Sequence, residues 1–146
     1  MNSKEKIENY LEKYEELWYT NEGDIALNII DDNPEDYYGW KLTGKYRMMM
    51  LFFHGQSNCF PGIWIGNDDH DDDLEKCPIY FCDIPDDTEP ICEGNFKLYM
   101  KNCLNRLKED NESNISIDNA IKDLDTFSDE ILDYGEKFTR DKVEQY

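Results

Sequence analysis

Six consecutive apolar residues, Met48-Met49-Met50-Leu51-Phe52-Phe53, form the longest such run in the chain. The length suits a strand and falls far short of the ~18–20 residues that a membrane span requires. Extended backbone sends alternate side chains to opposite faces. A strand over Lys45–Phe53 therefore presents Tyr46, Met48, Met50 and Phe52 on one side and Met49, Leu51 and Phe53 on the other. Both sides are apolar, so the sheet that contains this strand needs a cover on each face.

The flanking sequence supplies covering elements. Ile7, Tyr10, Leu11, Tyr14, Leu17 and Trp18 recur at steps of three and four, the spacing of one helix face. This predicts a helix over Lys4–Asn21, opened by a capping box between Asn2 and Glu5 and closed near Gly23. Ile25, Ala26, Ile29 and Ile30 fit either a short helix or an edge strand, and Asp31–Asp36 then forms a turn or a new helix start, since Pro34 restricts the residue before it. Phe60–Gly66 reads as a second strand, short or near an edge because Pro61 cannot donate to a ladder. Pro78–Ile84 reads as a third. Phe96, Tyr99, Met100, Cys103, Leu104 and Leu107 predict a helix near Asn95–Lys108; Ile117, Ile121, Leu124, Ile131 and Phe138 mark another, near Ile117–Tyr134. Helix, strands on short loops, then two helices make a single α+β domain over residues 1–146. Its central sheet is expected to be largely antiparallel, flanked by the N-terminal helix and the C-terminal helices.

Charge is distributed unevenly. The formal net charge is −19, and eleven acidic residues face one base, Lys76, between Asn67 and Glu93, a local charge of −10. That segment also holds the strand-like Cys77-Pro78-Ile79-Tyr80-Phe81-Cys82, and 14% of the chain is aromatic, unlike disordered acidic tails. The charge therefore belongs to a folded surface, which attracts cations and basic proteins and repels nucleic acid and anionic lipid. No nucleic-acid partner and no membrane partner are expected. The candidate partner-binding residues are Asp68, Asp69, Asp71, Asp72, Asp73, Asp83, Asp86 and Asp87, with Trp64 and Tyr80 as aromatic anchors beside them. A core position is the alternative for either aromatic.

Chemistry-bearing motifs are sparse. Asn67–Asp73 invites comparison with a calcium-binding EF-hand loop. Counted from Asp69, however, Leu74 stands where Gly is needed and Tyr80 where the bidentate Glu belongs. A looser metal-binding or enzymatic use of Asp68–Asp73 with His70 remains the rival reading. His54 reads as a turn residue, no nucleophile-elbow or phosphate-cradling glycine pattern is present, and no catalytic residue, metal site or cofactor is assigned. Cys59, Cys77, Cys82, Cys92 and Cys103 include no Cys-x-x-Cys pair, so reduced and mostly buried thiols are expected. The N-terminus lacks the apolar centre of a signal peptide, which makes a cytoplasmic location the expectation.

Three motifs carry a family resemblance. Ile63-Trp64-Ile65-Gly66-Asn67-Asp68-Asp69 is a strand entering an acidic turn, and Pro78-Ile79-Tyr80-Phe81-Cys82-Asp83 a strand ending in an acid. Ile91-Cys92-Glu93-Gly94-Asn95-Phe96-Lys97-Leu98-Tyr99-Met100 follows as a strand, a small or polar residue, and a Phe opening a helix. Over about Phe60 to Leu107 the chain thus resembles the SUKH superfamily of Smi/Knr-type proteins. The resemblance implies a helix-flanked α+β sheet without catalytic machinery. It also implies a bacterial immunity protein that binds and neutralises a cognate toxin, often a nuclease, and an acidic surface suits the basic cleft of such a toxin. An interaction adaptor without a toxin partner is a further alternative.

Overall fold

The computed structural model describes residues 2–19, 22–30, 40–53, 59–66, 71–83, 89–110, 115–132 and 137–145. Asn2 caps the first helix, α1 (Ser3–Lys13): its Oδ1 accepts the Glu5 N–H at 2.8 Å, and its Nδ2 reaches Glu5 Oε1 at 3.4 Å. The expected single helix Lys4–Asn21 is broken. Tyr14 leaves helical geometry (φ −114°, ψ 28°), and a one-turn α2 (Glu15–Trp18) follows. The break brings the Trp18 indole under α1, where Nε1 donates to Leu11 O at 2.9 Å and Trp18 is fully buried. Gly23, at φ +99°, closes the turn by donating to Trp18 O, as its place after the helix predicts.

Five strands form the main sheet: β1 (Asp24–Ile30), β3 (Arg47–Phe53), β4 (Cys59–Gly66), β5 (Ile79–Asp83) and β6 (Ile91–Cys92). Their spatial order is β1-β3-β4-β5-β6, and every ladder is antiparallel. The ambiguous segment after Gly23 is thus an edge strand. The turn at Asp31–Asp36 lies outside the described residues. Pro61 stands in the central strand rather than near an edge. The β3 register runs from Met50↔Gly62 to Arg47↔Gly66, so Pro61 sits just past the last β3 pair and its missing N–H is tolerated there.

Two cores sandwich this sheet, as the apolar run requires. Met49 and Leu51 face the helices, while Met48 and Met50 face the other way. The expected alternation then breaks: Phe52 joins the helix side and Phe53 the opposite side. The break coincides with a bulge in the neighbouring strand, where Ala26 and Leu27 of β1 oppose only Leu51 between the pairs Ile25↔Phe52 and Asn28↔Met50. Leu27 takes a left-handed φ of +46° there.

The helix-side core joins α1 and α2 to α3 (Phe96–Asp110) and α4 (Ile115–Asp123). Tyr10 organises it, edge-on to both Phe96 and Phe127 and donating its hydroxyl to Ala120 O at 2.7 Å. The last helix ends well before Tyr134. After a 3-10 turn at Leu124–Thr126 the chain becomes extended at Phe127 (φ −94°, ψ 156°). Thr126 Oγ1 donates to Asp123 O, and the turn carries Phe127 into the core.

The opposite core has a different cover. β2 (Trp40–Leu42) and β7 (Val143–Gln145) form a separate antiparallel pair, not anticipated from sequence. Phe138, ahead of β7, stacks on Trp64 at 4.9 Å and meets Tyr80 edge-on at 5.6 Å. Met48 lies over Gly62, where a Cβ would come within 2.4 Å of its sulfur. No described helix is long and apolar enough to cross a membrane.

Candidate functional site

The described turns of the acidic segment, Asp71–Lys76, are anchored rather than draped. Residues Asp71–Lys76 form 3-10 turns that meet at Asp73, and Leu74 and Cys77 are buried on either side of Glu75. Ser3 Oγ of α1 accepts the Glu75 N–H at 2.9 Å. The Glu75 carboxylate accepts from Lys6 Nζ and from the Ser128 N–H, both at 3.0 Å. Glu75 therefore acts as a clamp between α1 and the C-terminal segment. Lys76 O accepts the Leu132 N–H at 2.8 Å, a second tie to the same segment.

Lys76, the single base of the segment, is committed as well. Its Nζ lies 3.5 Å from Glu130 and 3.6 Å from Asp73, and Glu130, then Asp73, hold its pKa above the ordinary lysine value. Asp73 is thus the one candidate acid whose side chain is described. Asp71, Asp72 and Asp83 are placed by their backbone only, at the start of the 3-10 turns and the end of β5. Asp68, Asp69, Asp86, Asp87 and His70 lie outside the described residues. Among the described residues, no group of three or more His, Cys, Asp or Glu is arranged to hold a metal ion.

The two aromatic anchors require a correction. Trp64 is 0% and Tyr80 6% exposed, because both point into the core beneath Phe138, the alternative their positions allowed. Burial, ahead of the neighbouring Cys92 thiol, raises the Tyr80 pKa. Strand parity then exposes the neighbour instead: Phe81 is 41% exposed, and its cross-strand partner Ile91 is 70% exposed. Sequence alternation contained this signal, since Ile79 and Phe81 share one face and Tyr80 takes the other; the direction of that face was the missing fact. Among the described residues Cys77 and Cys103 are buried free thiols and Cys92 is an exposed one. Burial raises the Cys103 pKa to about 11, which keeps that thiol protonated and poorly nucleophilic.

A groove of about 500 Å³ opens beside β6, lined by Tyr80, Pro90, Cys92, Ile131, Leu132 and Phe138 together with Glu89 and Lys137. Glu89, from the acidic segment, accepts the Arg140 N–H at 3.0 Å and so fixes one wall to the other. This arrangement offers apolar surface beside concentrated carboxylates, without a described nucleophile–base pair. No family model, curated protein or solved structure matches the chain.

Proposed function

We propose that the chain is a protein-binding module that captures a basic protein partner on its acidic surface, acting as an immunity protein against a toxin domain, in line with the SUKH-like motifs. The observation that carries this reading is the −10 segment, whose lysine is engaged with Asp73 and Glu130. Little positive charge is left there to offset the carboxylates. A nuclease toxin approaches nucleic acid through a basic cleft, and a field of this sign steers that cleft toward the module. Such steering raises association rates about 10- to 1,000-fold and falls with ionic strength. No acid–base or metal chemistry is required of the module, and its place of action is the cytoplasm, where a toxin would do harm.

Stopped-flow capture of a basic toxin domain encoded beside this chain tests the reading. Replacing Asp71, Asp72 and Asp73 with Asn should slow association at low salt and leave the melting transition in place. Equal association rates for variant and wild type at low salt would remove the acidic segment as the docking face.

A further inference from the structure

Seven large apolar side chains stay exposed among the described residues, and two pairs of them flank β6: Phe81 with Ile91, and Leu98 with Ile131. Phe81 and Ile91 are direct cross-strand partners, so they share one face with Cβ atoms about 4.5–5.5 Å apart. Gly94, at φ +90°, turns the chain from β6 toward α3, and Leu98 leans over it: a Cβ at Gly94 would stand 2.5 Å from Leu98 Cδ2. Leu98 and Ile131 line one recess of about 190 Å³. Ile131 also lines the larger groove with Tyr80, Cys92 and Phe138, which makes it the ridge between the two hollows.

We propose that this edge, with Phe81 and Ile91 on one face of the β5–β6 pair and the groove under Phe138 with its Ile131 ridge on the other, seats apolar side chains of the basic protein that the acidic segment attracts. The inference rests on the acidic-capture reading and assigns it the missing source of durable affinity. Charge selects the occupant. A second copy would bring a further 19 negative charges against a patch whose Phe81 and Ile91 lie inside the most acidic segment, and nucleic acid or anionic lipid would be repelled likewise. Lys97, Lys101 and Lys137 also line the hollows, so the attraction comes from the segment that carries Phe81 and Ile91 rather than from the rim. The edge is poorly suited to strand addition. β6 has two residues, and Pro90 before it offers no N–H. Recognition therefore falls to side chains entering the hollows.

The two features divide the kinetics. Rim and field charges act on association, whereas buried apolar anchors act on dissociation. The full chain, isotope-labelled for NMR, is titrated with a peptide whose Leu-Trp-Leu centre is flanked on both sides by Lys and Arg. An equally charged control carries Gly-Ser-Gly at its centre. The expected result is binding of the apolar peptide at least about tenfold tighter than the control, the order of one hot-spot contact, with shifts centred on Ile91, Cys92, Leu98 and Ile131. The double variant Ile91→Ser/Ile131→Ser should lose that preference through faster dissociation. Ile91→Ser alone, at the most exposed of the four positions, should lose part of it with an unchanged melting temperature. Equal affinity for both peptides, absence of binding, shifts centred elsewhere, or a patch closed by self-association in sedimentation would each overturn the proposal. Where the wild type treats the peptides alike but the Asp71, Asp72 and Asp73 to Asn variant captures both more slowly, the acidic reading stands and the anchors fall. Where that variant captures both as fast as the wild type, the acidic reading itself falls.

Discussion

The two faces of the central sheet are closed in different ways. On the helix face, 23 buried residues of the described chain form one core, drawn from α1, α2, α3, α4, the sheet and the anchored 3-10 turns. On the opposite face only eight do so, and Phe138 with a three-residue ladder between β2 and β7 provides much of the cover. Elements with many buried residues open only with the whole molecule, whereas short pieces tied at few points open locally. The contrast teaches that the sheet has one face built for permanence and one whose cover can lift by itself.

The largest effect should come from the helix face. Trp18 is fully buried, lies 6.4 Å from Phe52 and holds the α1–α2 break through Leu11 O. Trp18→Ala should lower the unfolding free energy by about 3–5 kcal/mol, with fluorescence and circular dichroism lost together in a denaturant titration. On the tail face, Phe138→Ala should lower it by less, about 2–3 kcal/mol, because solvent can enter as the tail relaxes. Its specific sign is hydrogen exchange: amides of β2 and β7 should accelerate while those of α3 keep their protection. Equal acceleration in α3 would show that the faces unfold as one and would break the comparison.

Asn95 sharpens the contrast, since one buried side chain ties two helix-face elements together. Its Oδ1 accepts the Leu98 N–H at 2.9 Å, and its Nδ2 donates to Ser128 O at 2.9 Å and Glu130 O at 3.0 Å. Asn95→Ala removes a helix cap and leaves two carbonyls short of a partner. The expected loss is about 1–3 kcal/mol, measured by urea titration. Exchange should rise in Phe127–Leu132 and the first turn of α3; no change there would mean that the C-terminal segment is held by Glu75 and Lys76 alone.

The same contrast explains what could be read from sequence. The helix face is written in long periodic elements, so α1, α3 and the fold class were legible from the spacing of Ile7 to Trp18 and of Phe96 to Leu107. The tail face is written in pieces too short for periodicity: Trp40–Leu42 and Val143–Gln145 carry no local signal, and their pairing is far apart in sequence. Ile131 and Phe138 extended the apparent stripe of the last helix, yet Ile131 belongs to a segment held by Asn95 and Lys76, and Phe138 packs on Trp64 on the opposite face of the sheet. At the candidate site, the charge excess was legible because composition needs no geometry. The anchors were not, because moving the assignment from Tyr80 to Phe81 is a one-residue change of strand parity, and only the position of Phe138 tells which face is covered.

The smallest effect concerns pH and separates the rim of the helix face from the charge of the whole chain. Lys13 Nζ lies 2.8 Å from Asp123 Oδ2, and the Tyr14 hydroxyl bonds to the same oxygen, joining α1 to α4. The hydrogen bond from Lys13, then that from Tyr14, holds the Asp123 pKa below the ordinary carboxylate value. A carboxylate depressed on folding stabilises the native state above its unfolded pKa of about 3.9, and that contribution is lost as pH falls through the folded value. The remaining acids act in the opposite sense. Lowering the pH from 7 toward the isoelectric point near 4.2 relieves the self-repulsion of 19 net charges, so stability should first rise. Added salt should also raise it at pH 7 by screening that repulsion. The urea midpoint should therefore climb from pH 7 to about 5 and decline below about 4, where carboxylates such as Asp123 become protonated. Lys13→Met should flatten only the acid limb, leaving the climb intact and the exchange of β2 and β7 unchanged. A variant that keeps the whole acid limb would show that the decline belongs to other carboxylates, and the clamp at the rim would then add nothing to the permanence of the helix face.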